Sequence, residues 1–304
     1  MKTLLLGCDG QVGWQLQRSL APHGEVVACS RRDCDLGDPA ALRTLVRRER
    51  PQVIVNAAAY TAVDRAESEA ELAWAINAAA PGILAEEAAA LDALLVHYST
   101  DYVFPGDRAE PYAEDDPVGP QNVYGRSKLA GEEAIRAQAC KSLIFRTSWV
   151  FGARGNNFVK TILRLAAERQ SLNVVGDQVG SPTPAAMIAT VTGVVLAMLG
   201  HGRRLAPGEQ RLYHLAARRP VSWCEFARAI VTDAVETPGF ALELVPDAIV
   251  PISSAEYPVA ARRPLNSRLD CRRLEQDFGL QMPDWEPYLR RMLQLLALKQ
   301  RNGY

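Results

Sequence analysis

A glycine turn met almost at once constrains this chain most. Residues 4–6 are an apolar run, Gly7-Cys8-Asp9-Gly10-Gln11-Val12-Gly13 follows, and a helical pattern through Leu16 and Leu20 begins inside the turn. Gly7, Gly10 and Gly13 let the backbone turn tightly from strand to helix and approach a pyrophosphate, which the positive end of the helix then holds. The pattern alone is weak, but the strand before it and the helix after it are the setting that dinucleotide binding requires. Apolar runs at 26–29, 53–55, 94–97 and 143–145 then alternate with helical patterns at 39–48 and 68–91. Pro81 is expected to kink or break the second of these. Such alternation implies βαβ units: an α/β Rossmann fold, a doubly wound parallel sheet.

After residue 151 the alternation loosens, with helical patterns at 157–168, 185–199 and 222–235, a strand-like run at 212–215, and an amphipathic tail from Asp284. The 304 residues fit two domains or one large one. We expect residues 1–150 to form the nucleotide-binding domain, with later segments contributing. Residues 151–304 are expected to form mainly a smaller α/β substrate-binding lobe interleaved with the first. Lys plus Arg is 34 and Asp plus Glu is 35. That balance lacks the basic excess of a nucleic-acid binder. No signal peptide or membrane span is readable, so no membrane partner is expected. The six scattered cysteines contain no C-x-x-C pair and suit a reducing cytoplasm.

Two further features carry chemistry. The second strand candidate ends in Ser30-Arg31-Arg32, with no carboxylate at the strand end and two guanidiniums available for a 2′-phosphate. This favours NADPH over NADH while leaving NADH possible. Tyr124 and Lys128 are four apart and share one helical face. A lysine ammonium there is expected to draw the tyrosine pKa toward neutrality, making Tyr124 an acid for a carbonyl oxygen that receives hydride. Thr100 ends a predicted strand, where parallel sheets bring their ligands, and its hydroxyl can bond the same oxygen.

Together these residues resemble the extended short-chain dehydrogenase/reductases. The runs Val55-Asn56-Ala57-Ala58-Ala59-Tyr60-Thr61, His97-Tyr98-Ser99-Thr100-Asp101-Tyr102-Val103-Phe104 and Asn122-Val123-Tyr124-Gly125-Arg126-Ser127-Lys128, with those at 10–14, 146–151 and 263–269, are similar to the dTDP-4-dehydrorhamnose reductase family within them. The resemblance covers nearly the whole chain. It implies reduction of the 4-keto group of a dTDP-sugar, with Thr100, Tyr124 and Lys128 catalytic. It puts the cofactor on Gly10, Gln11, Val12, Asp35, Leu36, Ala59, Tyr60, Thr61, Tyr98, Tyr124 and Lys128. It puts the sugar nucleotide on Thr100, Asp101, Trp149, Asn157 and Asn266. Trp149 could equally be core packing, and His97 reads as a satisfied core histidine.

Two related readings stay open. One is a sister reductase making another 6-deoxyhexose. The other is a non-catalytic NADP-binding subunit, like a relative that regulates methionine adenosyltransferase. Some family members form a dimer bridged by Mg²⁺ on glutamates, but here Gln15 and Ala186 stand at two of those positions and only Glu286 remains. One carboxylate is a poor Mg²⁺ site. We therefore expect no bound metal, and a monomer or weak dimer.

Overall fold

The computed structural model describes residues 1–200 and 205–301. Six parallel strands form the central sheet: β1 (Lys2–Leu6), β2 (Glu25–Cys29), β3 (Val53–Asn56), β4 (Leu94–Thr100), β5 (Lys141–Thr147) and β6 (Gln210–His214). Their order is β6-β5-β4-β3-β1-β2. The chain order reverses between β1 and β3, the kind of crevice where open α/β sheets bind ligands. The helices that cover the sheet and carry the site are α1 (Gln11–Leu20), α2 (Pro39–Glu49), α3 (Ala80–Leu91), α4 (Val123–Arg136) and α5 (Ala185–Gly200).

Period-two alternation explains why the strands read as unbroken apolar runs. Leu5, Val53, Val55, Val96, Leu143 and Phe145 face one way and meet α1 and α5 through Leu16, Leu20, Ile188 and Val195. Leu4, Leu6, Ile54, Leu95 and Ile144 face the other way and meet α2 and α3 through Leu42, Leu45, Leu84 and Ala88. A parallel sheet covered by helices on both faces buries both sets.

The expected helix over 68–91 is not continuous. Ala70–Trp74 is α-helical, Ala75–Ala79 is a π turn, and α3 begins at Ala80 with Pro81 in its first turn. Proline has no N–H to donate into the preceding turn, so the break falls just before it. The π turn presents Asn77, whose side chain bonds both backbone groups of Tyr60 at 2.9 and 3.0 Å and the Ser127 hydroxyl at 3.1 Å.

β6 returns to the sheet beside β5, and α5 packs on α1. The remaining late segments form a three-stranded sheet of Val221–Ser222, Val179–Gly180 and Asn266–Ser267, and the parallel pair Leu172–Val175 with Ile249–Ile252. The helix Trp223–Glu236 starts with a reciprocal capping box between Ser222 and Glu225. All six cysteines are free, and no described helix is long and apolar enough to cross a membrane.

Candidate active site

The glycine turn is built for close approach. Gly7 has φ +78°, a left-handed conformation that favours glycine, and a Cβ there would lie 2.7 Å from the Ala58 nitrogen. A Cβ on Gly13 would run into the Gly7 carbonyl, so glycine lets α1 sit directly on the end of β1. Gly10 caps α1 with no side-chain bond. The first amides of α1 are therefore not spoken for by a capping side chain, which fits the pyrophosphate of a dinucleotide. Gln11 donates to the Val150 carbonyl at 3.4 Å and accepts from Asn157 at 2.9 Å, so it ties the turn to the second half of the chain. Val12 packs against the core. The Cys8 thiol, inside the turn, is pushed up by burial and by Asp9.

At the end of β2 the structure corrects one expectation. The Ser30 amide and hydroxyl donate to Asp33 Oδ2 at 2.8 and 2.7 Å, so a carboxylate does stand at the strand end, folded back from three residues on. Those bonds hold the Asp33 carboxyl below its ordinary range. Arg31 is paired with Asp35 at 3.1 Å, while the Arg32 guanidinium has no ion pair among the described residues. Asp35 also accepts from the Gly37 amide at 2.9 Å, and Leu36 is buried beside it. Ala59 and Tyr60 are half-buried after β3 and Thr61 is exposed; the Tyr60 hydroxyl donates to Glu69 at 2.5 Å.

Thr100 closes β4, and its hydroxyl donates to Asp101 Oδ1 at 2.9 Å. Asp101 is 3% exposed; its Oδ2 has no partner, and burial pushes the carboxyl up to about 6 against bonds from Ser267 and Thr100. Tyr124, in the first turn of α4, sits edge-on to Tyr102 with ring centres 5.4 Å apart. Burial pushes the Tyr124 phenol above the ordinary tyrosine range, and a hydrogen bond with Thr100 opposes this only in part. The expected depression of Tyr124 by Lys128 is thus corrected: desolvation dominates. The Lys128 amine instead donates to the Tyr98 carbonyl at 2.6 Å and lies 3.3 Å from His97 Nε2. Burial pushes Lys128 down to about 8. The Tyr98 ring belongs to the core, its hydroxyl bonded to Thr192 at 2.8 Å.

The other expected sugar-nucleotide residues already have partners within the protein. Trp149 follows β5 at φ +47° and stacks on Trp223 with centroids 3.4 Å apart and planes 7° from parallel. Asn157 caps the helix Phe158–Glu168, and both its amide hydrogens are used by Gln11 and the Gly152 carbonyl. Asn266 spends its amide hydrogens on the Arg108 and Glu110 carbonyls at 2.9 and 2.7 Å. Both amides already have protein partners. Gln15, Ala186 and Glu286 offer one carboxylate between them, and Glu286 Oε1 faces Arg219 at 3.3 Å.

Sequence reasoning passed over three residues near the site. Ser267 helps draw the Asp101 carboxyl down against its burial, Arg263 links the Tyr102 hydroxyl (2.9 Å) to Asp64 (2.6 Å), and Trp223 backs Trp149, while His97, read as a core histidine, touches Lys128. Only the run at 263–269 gave any signal, since it holds both Arg263 and Ser267.

A glycine turn at the switch point of a parallel sheet, with Thr100, Tyr124 and Lys128 beside the ends of β3 and β4, defines a dinucleotide-dependent oxidoreductase of the short-chain type. The comparisons narrow the class. A family model described as the RmlD substrate binding domain matches residues 1–298. A dTDP-4-dehydrorhamnose reductase of Burkholderia thailandensis is 48% identical over 94% of this chain and 95% of its own length. One from Salmonella typhimurium is 48% identical over 96% and 97%. A crystal structure of the Bacillus anthracis reductase in complex with NADP matches at TM-score 0.84 and 37% identity, over 96% of this chain and 98% of that one. The Clostridium acetobutylicum ortholog matches at TM-score 0.87 and 35% identity, over 97% and 99%. The chain belongs to the RmlD family of dTDP-4-dehydrorhamnose reductases.

Proposed function

We infer that this protein reduces the 4-keto group of dTDP-4-dehydro-β-L-rhamnose to give dTDP-β-L-rhamnose, with NADPH as its reductant. The observation that carries the reading is the convergence of Thr100, Asp101, Tyr124 and Lys128 at the end of β4, in a chain that belongs to this family over residues 1–298. NADPH, when bound, supplies the hydride.

The chain's own residues do the rest. The Gly7–Gly13 turn and the start of α1 take the pyrophosphate, and the Ser30–Leu36 loop takes the adenosine end. Ala59, Tyr60 and Thr61 after β3, with Tyr98, line the cofactor's path. Tyr124, held protonated by burial, donates its phenolic proton to the C4 oxygen as charge develops there. Thr100 turns its single hydroxyl proton from Asp101 Oδ1 to the same oxygen, and Lys128 orients the cofactor ribose and resupplies the proton. The unpartnered Asp101 Oδ2 accepts a sugar hydroxyl, which satisfies the one buried oxygen of that carboxyl left without a donor. Trp149 covers the sugar nucleotide from its stack on Trp223. Asn157 and Asn266 act by holding the Gly152 and Arg108–Glu110 backbone around the cleft. We place the protein in a reducing cytoplasm, as a monomer or weak dimer.

Incubation with NADPH and the dTDP-4-dehydro sugar, followed by NMR of the product hexose, tests the reading. Rhamno configuration supports it. Talo configuration points to a sister reductase, and no NADPH oxidation points to a regulatory NADP-binding subunit. Tyr124→Phe should cost about 100-fold or more in kcat while cofactor affinity stays; near-normal turnover would remove Tyr124 from the acid role.

A further inference from the structure

His97 is a buried titratable group that the chemistry above does not use. It lies on β4 three residues before Thr100 and is 1% exposed. Its ring touches two side chains: Nδ1 is 3.2 Å from Asn56 Nδ2 on β3, and Nε2 is 3.3 Å from Lys128 Nζ on α4.

The Asn56 amide has one orientation, because the Ala58 amide donates to its Oδ1 at 3.2 Å. Nδ2 therefore faces the imidazole, and Nδ2 can only donate. That makes Nδ1 the acceptor. Burial, reinforced by Lys128, holds the ring neutral by pushing His97 well below the ordinary histidine range. A neutral imidazole carries one proton, so it sits on Nε2 and points at Lys128. An ammonium there would set N–H against N–H. A neutral amine offers a lone pair and still donates to the Tyr98 carbonyl.

We propose that His97, held in a single tautomer by Asn56, is a positioning residue that donates from Nε2 to Lys128 and so favours its neutral amine over the ammonium. The inference rests on the reading of Lys128 as part of the catalytic set. Once Tyr124 has protonated the product oxygen, a proton passes from the Lys128 ammonium to the Tyr124 phenolate. The amine left behind is the form that His97 receives, and a solvent proton restores the ammonium. Burial acts in the same direction as His97, bringing Lys128 to about 8. Glu132, one turn on along α4, acts the other way. Its carboxylate is shared with Arg146 at 2.9 and 2.7 Å and with Arg136 at 3.3 Å. β5 presents the apolar Ile144 at the His97 register position.

The test is the pH profile of kcat/KM for NADPH-dependent reduction in the wild type, Asn56→Asp, His97→Gln and Lys128→Met. A carboxylate at position 56 demands a proton on Nδ1 and turns Nε2 into an acceptor for the ammonium. A glutamine at position 97 can present its amide oxygen to Nζ. Both variants should move the high-pH limb upward by about one pH unit. Should one of them not fold, the other carries the test. A merely structural loss would lower the rate at every pH and leave the limb in place. Lys128→Met, assayed at high enzyme concentration, should abolish the limb. If the limb survives in Lys128→Met, the catalytic reading of Lys128 fails and the proposal with it. If it vanishes there but stays unmoved in both other variants, the His97 proposal alone is overturned.

Discussion

Asp33 illustrates how much one side chain decides. Its carboxylate is fixed on the Ser30 amide and hydroxyl at the end of β2, the place where an adenosine ribose arrives in this fold. A 2′-phosphate must meet that negative charge, and Arg31 is already paired with Asp35. On the cofactor placement proposed above, Arg32 is left to answer the phosphate. The exposed setting screens both effects, so they tune cofactor preference rather than dictate it. Asp33→Ser should lower KM for NADPH about fivefold and leave KM for NADH nearly unchanged. Arg32→Ala should raise KM for NADPH by a similar factor. Parallel steady-state kinetics with the two cofactors check this, and equal effects on NADH and NADPH would remove both residues from 2′-phosphate recognition. Sequence spacing could not show Asp33 at the strand end, because its place there depends on a turn closing back three residues.

At the scale of elements, the decisive contact is α1 resting on the end of β1. Gly13 is buried there, and a side chain would press into the Gly7 carbonyl. A Cβ on Gly10 would meet the same carbonyl at 3.3 Å, which a small shift relieves. Gly13→Ala should therefore destabilise the fold by about 1–3 kcal/mol and weaken NADPH binding. Gly10→Ala should do much less to stability. Thermal melts with and without NADPH measure both, and equal losses in the two variants would refute the packing account. The glycine turn, the strands and the helix faces were legible because each rests on local period or on a residue type needed at one backbone conformation. The contact between His97 and Lys128 was not. Alternation shows that a residue on β4 faces inward, but it does not reveal which side chain 31 residues later on α4 meets it. The left-handed Trp149 was hidden for a similar reason: its neighbour Trp223 comes from a distant helix, and their stacking lies outside any local pattern. The π turn before α3 was half legible, since Pro81 signalled a break but not its form.

Across the whole molecule, 34 basic and 35 acidic side chains nearly cancel, yet charge is concentrated where elements meet. Arg146 on β5 and Glu132 on α4 form a buried pair, and Glu114 beside them accepts from the His214 amide of β6 at 2.9 Å and faces Arg273 at 3.5 Å. Buried ions persist when paired and hydrogen-bonded, and this network joins the sheet edge to the later segments. The same logic underlies the assembly expected of this chain. A Mg²⁺ bridge between two copies needs several hard anionic oxygens to offset dehydration of the ion. Gln15 supplies a neutral amide, Ala186 supplies nothing, and the Glu286 carboxylate faces Arg219. Glu286 Oε2 has no partner among the described residues, yet a single carboxylate leaves the ion short of ligands. The mass in solution, followed by light scattering at fixed protein concentration, should therefore be the same in EDTA and in millimolar Mg²⁺. A dimer that forms with Mg²⁺ and dissociates in EDTA would show that other carboxylates complete the site. Gln15→Glu combined with Ala186→Glu restores two of the missing donors. If ligand supply is what limits assembly, that double variant should acquire an EDTA-sensitive dimer that the natural chain does not form in the same assay.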